Sequence, residues 1–139
     1  MILYLDTSAL VKLYVAERGT DVTASAVEQA SRVATSRVTY AEARAAFARA
    51  KREGIVTASM LREVVDRLDA DWARYDVVEV TEPLARRAGA LAEKRALRGF
   101  DAIHLASALE TLRGVRGAFL CWDDRLARAA KAERLRLVG

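Results

Sequence analysis

The stretch Phe100-Asp101-Ala102-Ile103-His104-Leu105-Ala106-Ser107-Ala108-Leu109 predicts a buried central helix. After its opening carboxylate nearly every residue is apolar or small, and a helix that is apolar all round lies inside a protein. Gly99 precedes it, where the chain can turn sharply without a side-chain penalty. Asp101 therefore opens a central helix, and burying its carboxylate is costly unless a helix N-terminus, a hydrogen-bond donor or a cation compensates.

Short apolar segments elsewhere in the chain predict strands that alternate with helices. The strands are expected at residues 2–5, 33–35, 77–80, 118–121 and 135–138, and the other helices after Asp6, at 20–30, from Thr39 to Gly54, at 57–74, at 82–97 and after Asp123. This alternation is typical of an α/β fold whose mostly parallel sheet is covered on both faces. With no linker or repeat visible, we expect a single domain over residues 1–139.

The composition is that of a folded globular chain. Hydrophobic residues make up 53% and charged residues 30% of the 139 positions, and the net charge of +4 permits an anionic partner without requiring one. The single cysteine excludes an intrachain disulfide and favours a cytoplasmic location. No basic leader or long apolar run is visible, so neither a signal peptide nor a membrane span is expected.

Four carboxylates occupy positions that a parallel sheet brings to one edge. Asp6 directly follows a predicted strand and Asp123 follows another after Trp122, while Glu42 and Asp101 lie in the first turns of predicted helices. Because strand carboxyl ends and helix N-termini meet at the same edge, these four side chains are expected to converge. Their mutual repulsion would be relieved by a divalent cation, and an all-oxygen ligand set suits Mg²⁺ or Mn²⁺.

Each of these acids also has a purely structural interpretation. Asp6 and Asp123 are suitable helix N-caps, and Asp124 is an acid of the kind that a helix dipole favours in its first turn. Thr39 and Glu42 have the spacing of a capping box, which is the favoured interpretation of Glu42 when it is considered alone. Asp101 is the hardest to explain in this way.

Several other chemistries are disfavoured. His104 is the only histidine, which excludes a two-histidine ribonuclease, and its place in an apolar helix favours a structural role. Neither a glycine-rich phosphate loop nor a zinc ligand set is present. Cys121 ends an apolar segment and is interpreted as a core residue, whereas Arg98, close to Asp101, is a candidate phosphate contact.

Three segments of the chain resemble the PIN-domain nucleases. Residues 3–14 resemble the opening of that family, residues 100–106 its central acidic helix in the form seen in VapC-type toxins, and residues 121–126 its late acidic segment. Glu42 falls where the family places its second acid. The resemblance covers essentially the whole chain, and the order of the three motifs makes it specific.

The resemblance implies a three-layer α/β/α fold and an endoribonuclease that depends on Mg²⁺ or Mn²⁺. It implies a catalytic and metal-binding cluster of Asp6, Glu42, Asp101 and Asp123, in which Thr7 or Ser8 helps to hold the metal or its water. It also implies an RNA substrate, a VapB-like antitoxin that blocks the active site, and a homodimer.

Some features depart from the family pattern and leave alternatives open. Cys121 stands where relatives often carry a hydroxyl residue, and Trp122 replaces a more usual phenylalanine. The neighbouring Asp124 competes with Asp123 for the role of fourth acid, for which Asp123 is favoured because it is nearer the strand end. Alternative functions are an RNA-processing nuclease without an antitoxin and a PIN-like module that binds RNA or protein without cleaving.

Overall fold

Four parallel strands form the centre of the computed structural model, which describes residues 1–138. In chain order the elements are β1 (Ile2–Leu5), α1 (Thr7–Val11), α2 (Thr20–Gln29), β2 (Arg32–Ser36), α3 (Val38–Arg52), α4 (Ala58–Trp72), β3 (Asp76–Val78), α5 (Glu82–Arg95), α6 (Gly99–Leu112), β4 (Gly117–Leu120) and α7 (Asp124–Ala132).

The strand order β3-β2-β1-β4 places β1 and β4, the first and last strands, side by side. Their register pairs Leu5 with Leu120, and the Asp6 N–H extends the pairing by donating to the Leu120 carbonyl at 3.3 Å. From β1 the chain moves outward through β2 to β3 and then crosses back to β4 on the other side of β1. Such a reversal opens a crevice at the carboxyl ends of the central strands, where α/β proteins bind ligands.

Alternate residues of β1 supply two separate cores, one on each face of the sheet. Leu3 and Leu5 pack with residues of α1 to α4, including Phe47 and Leu68, whereas Tyr4 packs with residues of α5, α6, α7 and β4. This is the period-2 alternation expected of a strand buried on both faces. The predicted three-layer α/β/α fold with a parallel sheet is confirmed.

Helix α6 is the buried central helix that its sequence predicts. Seven of its fourteen residues are buried, and they include His104, Leu105 and Ser107. The prediction that Gly99 forms the turn before this helix is wrong, because Gly99 is the first helical residue. The left-handed conformation before the helix belongs to Ala96, with φ of 54°. The fold therefore positions Asp101 in the first turn of a helix that cannot shift without disturbing its core.

The chain end differs from the sequence prediction. Residues 135–138 form no strand, and only Leu137 makes an isolated parallel bridge to Phe119. Helix α1 is also short, since regular helix ends at Val11 and the apolar residues up to Val15 continue in turns. Among residues 1–138, no helix combines the length and the apolar character needed to cross a membrane.

Candidate active site

An open cleft of about 590 Å³ lies at the carboxyl end of β1 and collects the predicted acids. Its wall combines the end of β1, the N-termini of α1 and α6, one face of α3 and the loop after β4. The polar side chains that line it include Asp6, Thr7, Ser8, Lys12, Glu42, Arg98, Asp101, His104 and Asp123. All four acids that the sequence selected therefore face one space, although they lie up to 117 positions apart along the chain.

Asp6 is the most buried of these acids, with 4% of its surface exposed. It is the N-cap of α1 and accepts hydrogen bonds from the Ala9 N–H at 2.9 Å and from Ser8 Oγ at 2.7 Å. Burial raises the pKa of Asp6 from 3.8 to about 6, against the lowering effects of His104, Ser8 and the Ala9 N–H, and the charge of Asp101 raises it further. Asp6 thus caps α1 and also belongs to the group of acids that line the cleft.

Glu42 does not take part in a capping box. Helix α3 begins at Val38 without a side-chain cap, and Thr39 lies inside it, fully buried, with its hydroxyl 2.7 Å from that of Thr35. The Glu42 carboxylate instead accepts hydrogen bonds at Oε1 from Thr7 Oγ1 at 2.6 Å and from His104 Nε2 at 3.0 Å. Burial raises the pKa of Glu42, but these two bonds outweigh it and leave the pKa below its ordinary value.

His104 links the cleft to the core beneath it. Its Nε2 lies 3.1 Å from Thr7 Oγ1, and because that hydroxyl gives its one proton to Glu42, the nitrogen must be the donor in this contact. The Tyr4 hydroxyl lies 3.0 Å from Nδ1. Tyr4 is fully buried, and this burial raises its pKa well above the usual value, so it remains a phenol. This arrangement places a proton on Nε2 and holds one Glu42 oxygen in place.

Asp101 and Asp123 are more exposed than Asp6. The Asp101 side chain, 23% exposed, accepts a long hydrogen bond of 3.4 Å from the Nε of Arg98, whose own side chain is 80% exposed. Asp123 is the N-cap of α7 and accepts from the Leu126 N–H at 2.8 Å. Asp124 is exposed and does not line the cleft.

Basic side chains and a thiol complete the surroundings of the acids. Lys12 lines the cleft and pairs with Glu17 at 2.9 Å, with only 11% of the lysine side chain exposed. Burial, followed by the charge of Asp6, raises the pKa of Cys121 to about 12. The thiol therefore stays protonated at neutral pH and is not a nucleophile, as the sequence indicated.

The carboxylates share a cleft without forming a closed cage. Within residues 1–138, no three His, Cys, Asp or Glu side chains stand close enough together to surround an ion. Asp6 and Asp123 are held by their cap bonds, and Asp101 and Asp123 are only half-buried, so both remain accessible to solvent. The arrangement can hold a hard cation through one or two carboxylates together with water.

Residues 3–132 match the family model described as the PIN domain. The chain belongs to the PIN-domain family. It is also 38% identical over 137 residues to Ribonuclease VapC45 of Mycobacterium tuberculosis (strain CDC 1551 / Oshkosh), an alignment that covers 98% of this chain and 94% of that protein. The resemblance to VapC-type PIN domains that the sequence motifs indicated is confirmed.

Solved structures with a similar fold cover between 84% and 99% of this chain. VapBC2 from Rickettsia felis, solved with a DNA fragment from its promoter, gives a TM-score of 0.63 at 16% identity and covers 99% of this chain and 97% of that one. A toxin-antitoxin complex from Klebsiella pneumoniae gives 0.58 at 21% identity, covering 84% and 83%. At these identities the likeness establishes the fold alone.

Sequence reasoning missed two residues of this PIN-domain cleft. The sequence predicted a structural role for His104, yet His104 contacts Glu42 and Thr7, and no role was predicted for Lys12, which lines the cleft. A signal for His104 was present, since it lies three positions after Asp101 and so on the same helix face. For Lys12 the sequence contained no comparable signal.

Proposed function

We propose that this PIN domain is an endoribonuclease that hydrolyses RNA phosphodiester bonds with Mg²⁺ or Mn²⁺, and that it is the toxin of a VapBC-type toxin–antitoxin pair. The observation that carries the proposal is that Asp6, Glu42, Asp101 and Asp123, from four separate segments, line one cleft. The 38% identity with a protein named Ribonuclease VapC45 supports the same activity. A binding-only module would have no use for four acids that repel one another.

The chemistry of the donor set fits a hard divalent cation. All four acids offer carboxylate oxygen, and Mg²⁺ is bound in proteins by one or two carboxylates with several waters and substrate phosphates. Asp6 and Asp101 would hold the cation, with Asp123 bound directly or through water and Glu42 completing the set. Bound there, the cation would neutralise charge on the phosphate and make a coordinated water more acidic.

The side chains have distinct tasks in this proposal. Glu42 has one oxygen held by Thr7 and His104, and within residues 1–138 its Oε2 accepts no hydrogen bond, which leaves that atom to orient the attacking water. Arg98 and Lys12 attract the phosphodiester backbone. Ser8 fixes Asp6 by donating to its carboxylate. No side chain has to act as a nucleophile.

The direct test is cleavage of a total-RNA pool by the purified chain. We expect discrete products with Mg²⁺ or Mn²⁺, and neither cleavage in EDTA nor cleavage by an Asp6→Asn variant, because both changes remove the metal-dependent step. Sequencing the product ends would identify the target. If no RNA is cut, or if the variant cuts as well as the wild type, the proposal fails and the non-cleaving module becomes the better interpretation.

A toxin of this type requires an antitoxin. The proposal therefore includes a VapB-like partner, together with a homodimer and a cytoplasmic location. The likeness to a structure named as a toxin-antitoxin complex supports the partner. A small adjacent gene for a DNA-binding protein that co-purifies with this chain and stops cleavage would distinguish the toxin from an RNA-processing nuclease. Light scattering of the purified chain would test the homodimer by measuring the mass of the particle in solution.

Replacing His104 should lower the affinity for the metal ion more than it lowers the stability of the protein. In a His104→Gln variant the hydrogen bond to Glu42 Oε1 is lost or displaced, and changes to residues that orient metal ligands cost roughly 10- to 100-fold in metal affinity or activity. We expect the Mg²⁺ concentration for half-maximal cleavage to rise by that factor. Mn²⁺ binding, measured by electron paramagnetic resonance without RNA, should weaken in parallel.

Tyr4→Phe is the matched control, since it removes only the hydroxyl beside His104 Nδ1. We expect a smaller shift of the Mg²⁺ midpoint in the same direction, because His104 keeps its place but loses the hydrogen bond that orients its ring at Nδ1. A lower melting temperature with an unchanged Mg²⁺ midpoint in both variants would show that His104 is only a core residue.

A further inference from the structure

Two aromatic side chains flank the acidic cleft and face solvent. Of the nine aromatic residues in the chain, seven are buried or half-buried, and the exposed ones are Phe100, with 58% of its surface accessible, and Trp122, with 41%. Each directly precedes an acid of the cleft, Asp101 in the first case and Asp123 in the second. The exposed aromatic surface of this protein is therefore concentrated at one functional site.

Trp122 is exposed but fixed. Its backbone N–H donates to Ser8 Oγ at 3.0 Å, and the same Ser8 hydroxyl lies against the Asp6 carboxylate. Its indole N–H points to the hydroxyl of the fully buried Thr23, at 3.4 Å. Anchored at both backbone and ring, the indole loses little conformational entropy when a ligand covers it.

The chain leaves space for this indole. Gly19 has φ of +95°, and a Cβ there would lie 2.5 Å from Trp122 Cζ2, so a larger residue would displace the ring. Lys12 Nζ lies 5.0 Å from the ring centroid, within cation–π distance. The ring is thus positioned beside a cation that also lines the acidic cleft.

Phe100 lies in a cavity next to the acidic cleft. With Glu42, Arg98 and Asp101 it lines a second cavity, of about 500 Å³, and those three residues also line the acidic cleft. The two cavities therefore adjoin each other at these shared residues. Trp122 borders α1 and α2, whereas Phe100 projects from the first turn of α6 on the side of Glu42.

We propose that Trp122 and Phe100 are stacking platforms for unpaired RNA bases on either side of the phosphate held at the acidic cleft. The inference rests on the proposed ribonuclease function. Single-stranded nucleic acid is bound by aromatic faces that stack bases beside cations that contact phosphates, and Lys12 and Arg98 supply such cations here. Bases in an intact duplex are stacked on each other and are not available to these rings.

The test is RNA affinity measured by fluorescence anisotropy in EDTA, where the substrate is not cut. The probe is a labelled single-stranded RNA that contains the mapped cleavage site, with the same sequence annealed to its complement for comparison. We expect Trp122→Ala to weaken single-strand binding by about 5- to 150-fold, the usual cost of losing one stacked base, and Phe100→Ala to do the same. Trp122→Phe, which retains an aromatic face, should recover most of the affinity.

The sole-tryptophan variant Trp72→Phe gives a direct signal, because Trp122 is then the only indole. Its fluorescence should be quenched by the single strand and not by the duplex. Val115→Ala is the matched control, since Val115 is 48% exposed but lies just before β4, at the opposite edge of the sheet from the cleft. The affinity of this variant for RNA should equal that of the wild type.

The outcomes separate this inference from the function on which it rests. If the wild type cuts RNA while both alanine variants bind it normally, the stacking proposal is wrong and the ribonuclease stands. If Phe100→Ala changes the mass of the protein in solution but not its RNA affinity, that ring is instead a contact between copies of the chain. If the wild type neither binds nor cuts RNA, the proposed function itself has failed.

Discussion

Replacing Asp101 by Asn should reduce metal-dependent RNA cleavage by roughly 100- to 1,000-fold, since a metal contributes several kcal/mol of transition-state stabilisation that depends on its charged ligands. The substitution preserves the size of the side chain and removes its charge. Because the Asp101 side chain is 23% exposed and, within residues 1–138, pairs only with Arg98 in a 3.4 Å contact, we expect little change in stability. Single-turnover cleavage with saturating enzyme, together with thermal unfolding, measures both effects.

Asp124→Asn is the control for this experiment. Asp124 is an acid next to Asp123, but it is exposed and lies outside the cleft. We expect its cleavage rate to remain within about twofold of the wild type, because exposed charges away from the site contribute little. Equal losses in the two variants would mean that the cleft assigned here is not where the phosphate is cut.

Replacing Asp6 by Asn should stabilise the metal-free protein while abolishing its activity. Burial raises the pKa of this carboxylate from 3.8 to about 6, so ionised Asp6 costs on the order of 3 kcal/mol in the folded state at neutral pH. Asn avoids that cost and keeps an oxygen for the Ala9 N–H. In EDTA at pH 7.5 we expect the free energy of unfolding to rise by about 2 kcal/mol.

The sign of this effect can be checked against pH. Because the folded pKa of Asp6 lies above the unfolded value, the folded wild type binds the extra proton between about pH 4 and pH 6. The free energy of unfolding of the wild type therefore falls as the pH rises through that window. The difference in stability in favour of the Asn variant grows over the same range. Mg²⁺ should stabilise the wild type more than the variant. An Asn variant less stable than the wild type at pH 7.5 in EDTA would contradict this account.

The layout of the fold was largely predictable because its signals are local. Asp6 and Asp123 each follow a short apolar strand, and parallel strands fix the edge at which they meet. The buried character of α6 was equally visible, since no polar face interrupts it. Those features need only the chain order and the period of the hydrophobic pattern.

Contacts between distant segments were not predictable in this way. Thr39 and Glu42 have the spacing of a capping box, yet Thr39 is buried against Thr35 and Glu42 turns toward His104, 62 positions away. The pairing of those two side chains depends on how α3 and α6, which cover opposite faces of the sheet, approach each other at the carboxyl end of β1. A carboxylate that can accept a hydrogen bond from a buried donor in a distant segment is more stable there than in a local capping box, because an unpaired buried donor is costly.

The pairing of β1 with β4 also determines when this cleft exists during synthesis. Strand β1 stays unpaired on one edge until residues 117–120 emerge, and Asp123 follows them. A nascent chain shorter than this has an open strand edge and lacks one of the four acids. The complete set of acids assembles only after residue 123 has been translated, so a nascent chain that ends before this position does not contain the finished cleft.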